Sequence, residues 1–190
     1  MAKRAPKVVP KKTQKKHQAS YLLQTDRKEM GLNNLPTWTD IGLAPIGYFA
    51  YVILAAILFW LFDYFPWFNT NETQNVGLGS LLTSMDGIIA FLRLVIIAPI
   101  IEEVIFRGWL YGKLRNCLLA KFSDRVSLII SITVVSLIFG LAHGQWNAGV
   151  NMFAMSVVLC GMREITGTIY SGTLMHIIKN GIAFCVIIFA

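Results

Sequence analysis

At 190 residues, 55% hydrophobic and only 14% charged, the chain is too apolar for a soluble domain, where about a quarter of residues carry charge. Its mean hydropathy of +0.59 says the same, and the length suits a single membrane domain. The net charge of +7 is gathered at one end, so it does not describe a uniformly basic surface.

Residues 1–36 are polar, punctuated by Pro6, Pro10 and Pro36, and hold Lys3, Arg4, Lys7, Lys11, Lys12, Lys15, Lys16, Arg27 and Lys28. They read as a largely disordered tail. No folded nucleic-acid module or aromatic interleaving accompanies the charge, so nucleic acid is not an expected partner. A cytoplasmic tail that attracts anionic lipid headgroups and fixes orientation is expected instead. Residues 37–190 form the membrane domain.

The first apolar span, 43–62, has the roughly 20 residues that cross a hydrocarbon core. It reads as a retained helix, since the basic region before it is too long for a signal peptide and no cleavage site follows. The loop 63–80 opens with Tyr64, Phe65, Trp67 and Phe68, an interfacial aromatic belt, and lacks Lys and Arg, which places it outside. A long second helix spans about 86–115, kinked or broken at Pro99. Lys113, Arg115, Lys121 and Arg125 return the chain to the cytoplasmic side. Spans at 126–142, 148–162 and 165–190 complete an all-α bundle of about five membrane helices. Cys117, Cys160 and Cys185 are scattered through apolar segments and read as small buried hydrophobes.

The chemistry begins at "PIIEEVIFRGW", where two glutamates and an arginine interrupt apolar helix. Such residues are rare and functional at bilayer depth. Glu103 and Arg107 are i,i+4 neighbours and pair, whereas Glu102 points about 100° away and is left to act as a proton acceptor. His143 ends the third span in "FGLAHGQWN", and His176 and Asn180 share one stripe of the last span in "HIIKN". Lys179 projects away from Asn180 and either snorkels or lines the same cavity. Two carboxylates, two imidazoles and a carboxamide make a hydrolytic set, the amide N–H being an oxyanion donor. A serine nucleophile is less suited: G-x-S-x-G is absent, and Ser136 and Ser171 have no evident base partner.

E-E-x-x-x-R, F-x-x-x-H and H-x-x-x-N on successive membrane helices resemble the CAAX-protease and bacteriocin-processing family of intramembrane endopeptidases. Here they read Glu102-Glu103 to Arg107, Phe139 to His143, and His176 to Asn180, within residues 85–190. The resemblance implies that Glu102 and His143 activate the attacking water, and that Glu103 and His176 position substrate or support that water. It further implies that Arg107 holds the glutamates and that Asn180 helps form the oxyanion hole. The expected substrate is a membrane-tethered peptide or protein, in CAAX-type processing or in bacteriocin maturation and self-immunity, at the cell membrane. No cofactor is expected. Were the enzyme zinc-dependent, Glu102, His143 and His176 would be the ligands, although H-E-x-x-H is absent. A catalytically silent adaptor or immunity protein of the same fold is the alternative, but it would tolerate loss of a motif residue and none is lost. A transporter or proton relay would call for more spans or repeat symmetry.

Overall fold

A computed structural model describes residues 27–32, 34–65 and 84–189. Residues 1–26 of the tail and 66–83 of the loop, including Trp67 and Phe68 of the expected belt, lie outside the described residues. The described membrane domain is a multi-pass bundle of five helical runs, α1 to α5.

Helix α1 is Trp38–Phe62. It starts five residues before the expected span because Asp40 accepts hydrogen bonds from the Thr37 N–H (2.8 Å) and hydroxyl (2.9 Å), capping the first turn. The second carboxylate oxygen of buried Asp40 accepts from the Thr168 hydroxyl, which fastens this helix end to the turn before the last helix.

Helix α2 is one unbroken run assembled from Ser84–Phe91, Leu92–Ile97, Ala98–Glu103, Val104–Tyr111 and Gly112–Leu119. Leu92–Ile97 and Val104–Tyr111 are π-helical. The proline expected to break the ladder is thus accommodated by a wide turn placed just before it. Pro99 occupies the opening of the Ala98–Glu103 segment, where a missing N–H is tolerated.

Helices α3, α4 and α5 are Asp124–Leu141, Trp146–Thr166 and Tyr170–Phe189. The last begins later than expected because Gly167, at φ +70°, ends α4 in the left-handed region. Among the described residues four helices (α1, α3, α4 and α5, the last to Ile188) are long and apolar enough to cross a membrane. Large side chains such as Phe49, Ile53, Ile129, Leu137 and Val186 face outward, as a lipid-solvated surface requires.

Small residues let the helices approach closely. A Cβ on Gly140 of α3 would lie 2.7 Å from the Gly149 carbonyl of α4. Tyr51 of α1 donates to Asn151 of α4 (2.6 Å), beside a core containing Ala44, Met155, Leu159 and Met175. Residues 27–32, at the end of the basic tail, form one turn packed on the bundle. Arg163 donates to the Glu29 carbonyl, the Ile169 N–H donates to Gly31, and Gly108 and Gly112 leave room for the Met30 and Glu29 carbonyls.

Candidate active site

The site lies where the middle of α2 meets α3 and α5. Glu103 is its fixed point. Its Oε1 accepts from the Arg107 guanidinium at 2.9 Å and lies 3.0 Å from His176 Nδ1, with Glu103 and Arg107 both fully buried. Arg107 also sits 4.4 Å from the centre of the Phe139 ring, so an aromatic face covers the side of the guanidinium that water would otherwise solvate. Gly172 of α5 faces the carboxylate: a Cβ there would stand 3.5 Å from Glu103 Oε2, in ordinary contact.

Glu102 differs from its neighbour. Its side chain is one-third exposed, at 33%, and its Oε2 lies 3.7 Å from His176 Nε2, within ion-pair range but longer than a hydrogen bond. His176 therefore stands between the two carboxylates, its Nδ1–H directed to Glu103. Lys179 turns inward, and its side-chain nitrogen lies 3.8 Å from the Met152 sulfur. The charge of Glu103 is thus matched by Arg107, which lowers the burial penalty of that pair.

His143 closes α3 at the edge of the site. Its Nδ1 lies 2.8 Å from the Phe139 carbonyl, and because a carbonyl only accepts, Nδ1 carries the proton. Nε2 is left with a lone pair. Among the described residues no hydrogen bond joins His143 to Glu102. Asn180 donates one amide N–H to the Leu94 carbonyl of α2 at 2.9 Å.

Glu102, Glu103, Arg107 and His176 therefore form one contiguous cluster, with His143 reaching it through Phe139. Asn180 lies a turn farther along α5. Phe139 is the residue whose work sequence reasoning left unassigned. Its ring contacts Phe106 (4.9 Å), His143 (5.1 Å) and His176 (6.1 Å) as well as Arg107. Its signal was present in the four-residue spacing to His143, which lies in the turn just past α3. Among the described residues no three His, Cys, Asp or Glu side chains converge as metal ligands. Glu102, His143 and His176 do not make a three-ligand set, and His176 Nδ1 is already held by Glu103.

Residues 82–182 match the family model described as type II CAAX prenyl endopeptidase Rce1-like. The chain belongs to that family. The matched region contains all six site residues and the two π-helical segments that flank the glutamates. A stretch of 86 residues is 35% identical to the membrane-embedded CAAX protease MroQ of Staphylococcus aureus (strain USA300), covering 45% of this chain and 34% of that protein. The match thus spans about a third of the relative's length. No solved structure matches the chain.

Beside His143, α1, α3 and α4 enclose an apolar cleft of about 470 Å³, lined by Leu58, Phe62, Leu137, Leu141, Trp146 and Phe153 among others.

Proposed function

We propose that this protein is an intramembrane endopeptidase that hydrolyses a peptide bond of a membrane-associated peptide or protein, using a water activated by Glu102. The observation that carries the reading is the division of labour between adjacent glutamates. Glu103 is enclosed and engaged by Arg107 and His176, whereas Glu102 is partly open.

In this reading a water sits between Glu102 and the lone pair of His143 Nε2. Glu102 takes its proton as the oxygen attacks the carbonyl carbon. The proton then passes to the amide nitrogen as the C–N bond breaks, leaving a carboxylic acid and an amine. Glu103, Arg107 and His176 hold Glu102 in place, and the second amide N–H of Asn180 is a donor for the tetrahedral oxygen. No step is routed through a metal.

The apolar cleft beside His143 supports a substrate with a hydrophobic, membrane-held portion. CAAX-type processing and bacteriocin maturation or self-immunity both meet that description. The basic tail and the Lys113–Arg125 region favour a cell-membrane protein with a cytoplasmic N-terminus, its tail on anionic lipid.

The test is purification in detergent and incubation with a library of membrane-tethered peptides, comparing the natural protein with Glu102→Ala and His143→Ala. Cleavage lost in both variants, each still folded, is the expected result. Equal cleavage by all three would refute the assignment. Absence of cleavage by any, on a broad library, would favour the silent adaptor.

A further inference from the structure

The Leu94 carbonyl is deprived of a backbone donor twice over. In an α-helical ladder its partner would be the Ala98 N–H, but the π turn directs that N–H five residues back, to Arg93. In a π-helical ladder its partner would be residue 99, which is proline and has no N–H. Leu94 lies in an apolar stretch of α2 and is itself 38% exposed; against lipid, no water would replace a lost donor. The group that meets this carbonyl is the Asn180 amide, at 2.9 Å. The next residue, Gly181, faces α2 as well: a Cβ there would stand 3.6 Å from the Val95 side chain, in ordinary contact.

We propose that Asn180 is a positioning residue that stands in for the missing N–H of Pro99. Through Leu94 it holds the junction between the π turn and the segment Ala98–Glu103, and so holds the rotation about the α2 axis at which Glu102 and Glu103 project. A π turn adds a residue to the helix, so loss of the turn would swing everything beyond it around the axis. His176 and Asn180, four residues apart on α5, then grip α2 at both ends of the segment: one at Glu103, the other at Leu94. Part of Asn180's influence on the reaction, which rests on the protease reading above, runs through this backbone contact and not through the substrate.

The experiment is a double-mutant cycle in the full chain, with Asn180→Ala, Pro99→Ala and the pair. Two readouts are taken: the thermal unfolding midpoint in detergent, and kcat and KM on a membrane-tethered peptide. Asn180→Ala alone is expected to lower the midpoint by roughly 3–8 °C, the effect of one unsatisfied polar group in a chain of this size. It should lower kcat on the order of 10- to 100-fold, as a displaced catalytic group does. In the Pro99→Ala background, which restores an N–H, the thermal loss should shrink by more than half and part of the kcat should return, with KM little changed.

Equal thermal losses in both backgrounds would overturn the proposal. So would an Asn180→Ala chain that fails to fold in either background. Recovery of the midpoint with no recovery of kcat would also overturn it, leaving Asn180 to act on the oxyanion alone. A natural protein that cleaves nothing would count against the protease reading, while the thermal arm would still decide whether Asn180 replaces the N–H.

Discussion

Adjacent glutamates in one helix usually invite one explanation, but Glu102 and Glu103 require two. A carboxylate that is fully buried, paired with an arginine and touched by a histidine is poorly placed to reach water, and Glu103 is all of these. Replacing Glu103 by Leu should therefore act on stability, since it leaves Arg107 buried without its carboxylate, at a cost of about 3–5 kcal/mol. The Glu103→Leu/Arg107→Leu pair should recover much of that loss, because an apolar pair of similar volume needs no counter-charge; thermal unfolding in detergent reads both. Glu102→Gln should behave oppositely. It should leave the unfolding midpoint nearly unchanged and reduce kcat by about 10²–10⁴-fold, the usual contribution of a general base. Chelation should leave cleavage unaltered, because Glu102, His143 and His176 do not assemble as ligands; a fall in activity restored by zinc would show that substrate or membrane brings them together.

Among the helices, the decisive contacts are made by what is missing from side chains. At Gly140 the obstacle to a Cβ is a backbone carbonyl of α4 at 2.7 Å, which cannot yield without moving a helix. At Gly47 the obstacle is the Met162 sulfur at 2.5 Å, the end of a flexible side chain. Gly140→Ala should thus destabilise by about 1–3 kcal/mol, and Gly47→Ala by clearly less. Gly140→Ala should also disturb catalysis, since Gly140 accepts from the His143 backbone N–H and lies three residues before that ring. Comparing unfolding midpoints and kcat for the two variants checks both statements; equal effects would mean that the α3–α4 crossing is looser than its geometry indicates.

For the molecule as a whole, the arrangement of spans predicts sidedness. Helix α3 crosses from Asp124 to Leu141, so residues just before and after it belong on opposite faces of the membrane. With Cys117 and Cys185 replaced by serine, Lys121→Cys should react with an impermeant thiol reagent from the cytoplasmic face only. Gln145→Cys should react from the other face only. Labelling of both from one face would remove α3 as a crossing helix. The reverse pattern would invert the orientation inferred from the basic tail and the Lys113–Arg125 region.

Much of this protein was legible without coordinates. Long apolar runs have no satisfactory conformation in lipid except the helix, so a multi-pass helical bundle followed from composition and period alone; about five spans were expected, and among the described residues four helices are long and apolar enough to cross. The pairing of Glu103 with Arg107 followed from i,i+4 spacing, and the family motifs pointed to Glu102, His143, His176 and Asn180. What spacing could not decide is anything that depends on a second helix. The sequence led to a kink or a break at Pro99; the helix runs on through it, with a π turn before it and an amide from α5, 86 residues away, on the orphaned Leu94 carbonyl. It left Phe139 without a role, although that ring covers Arg107 and touches both site histidines. It also left Lys179 between snorkelling and lining a cavity, whereas its side chain turns towards Met152 on another helix. Local periodicity sets which residues share a face. Only the crossing of helices decides which of those faces meet, and so which of two neighbouring carboxylates is enclosed and which is left open to water.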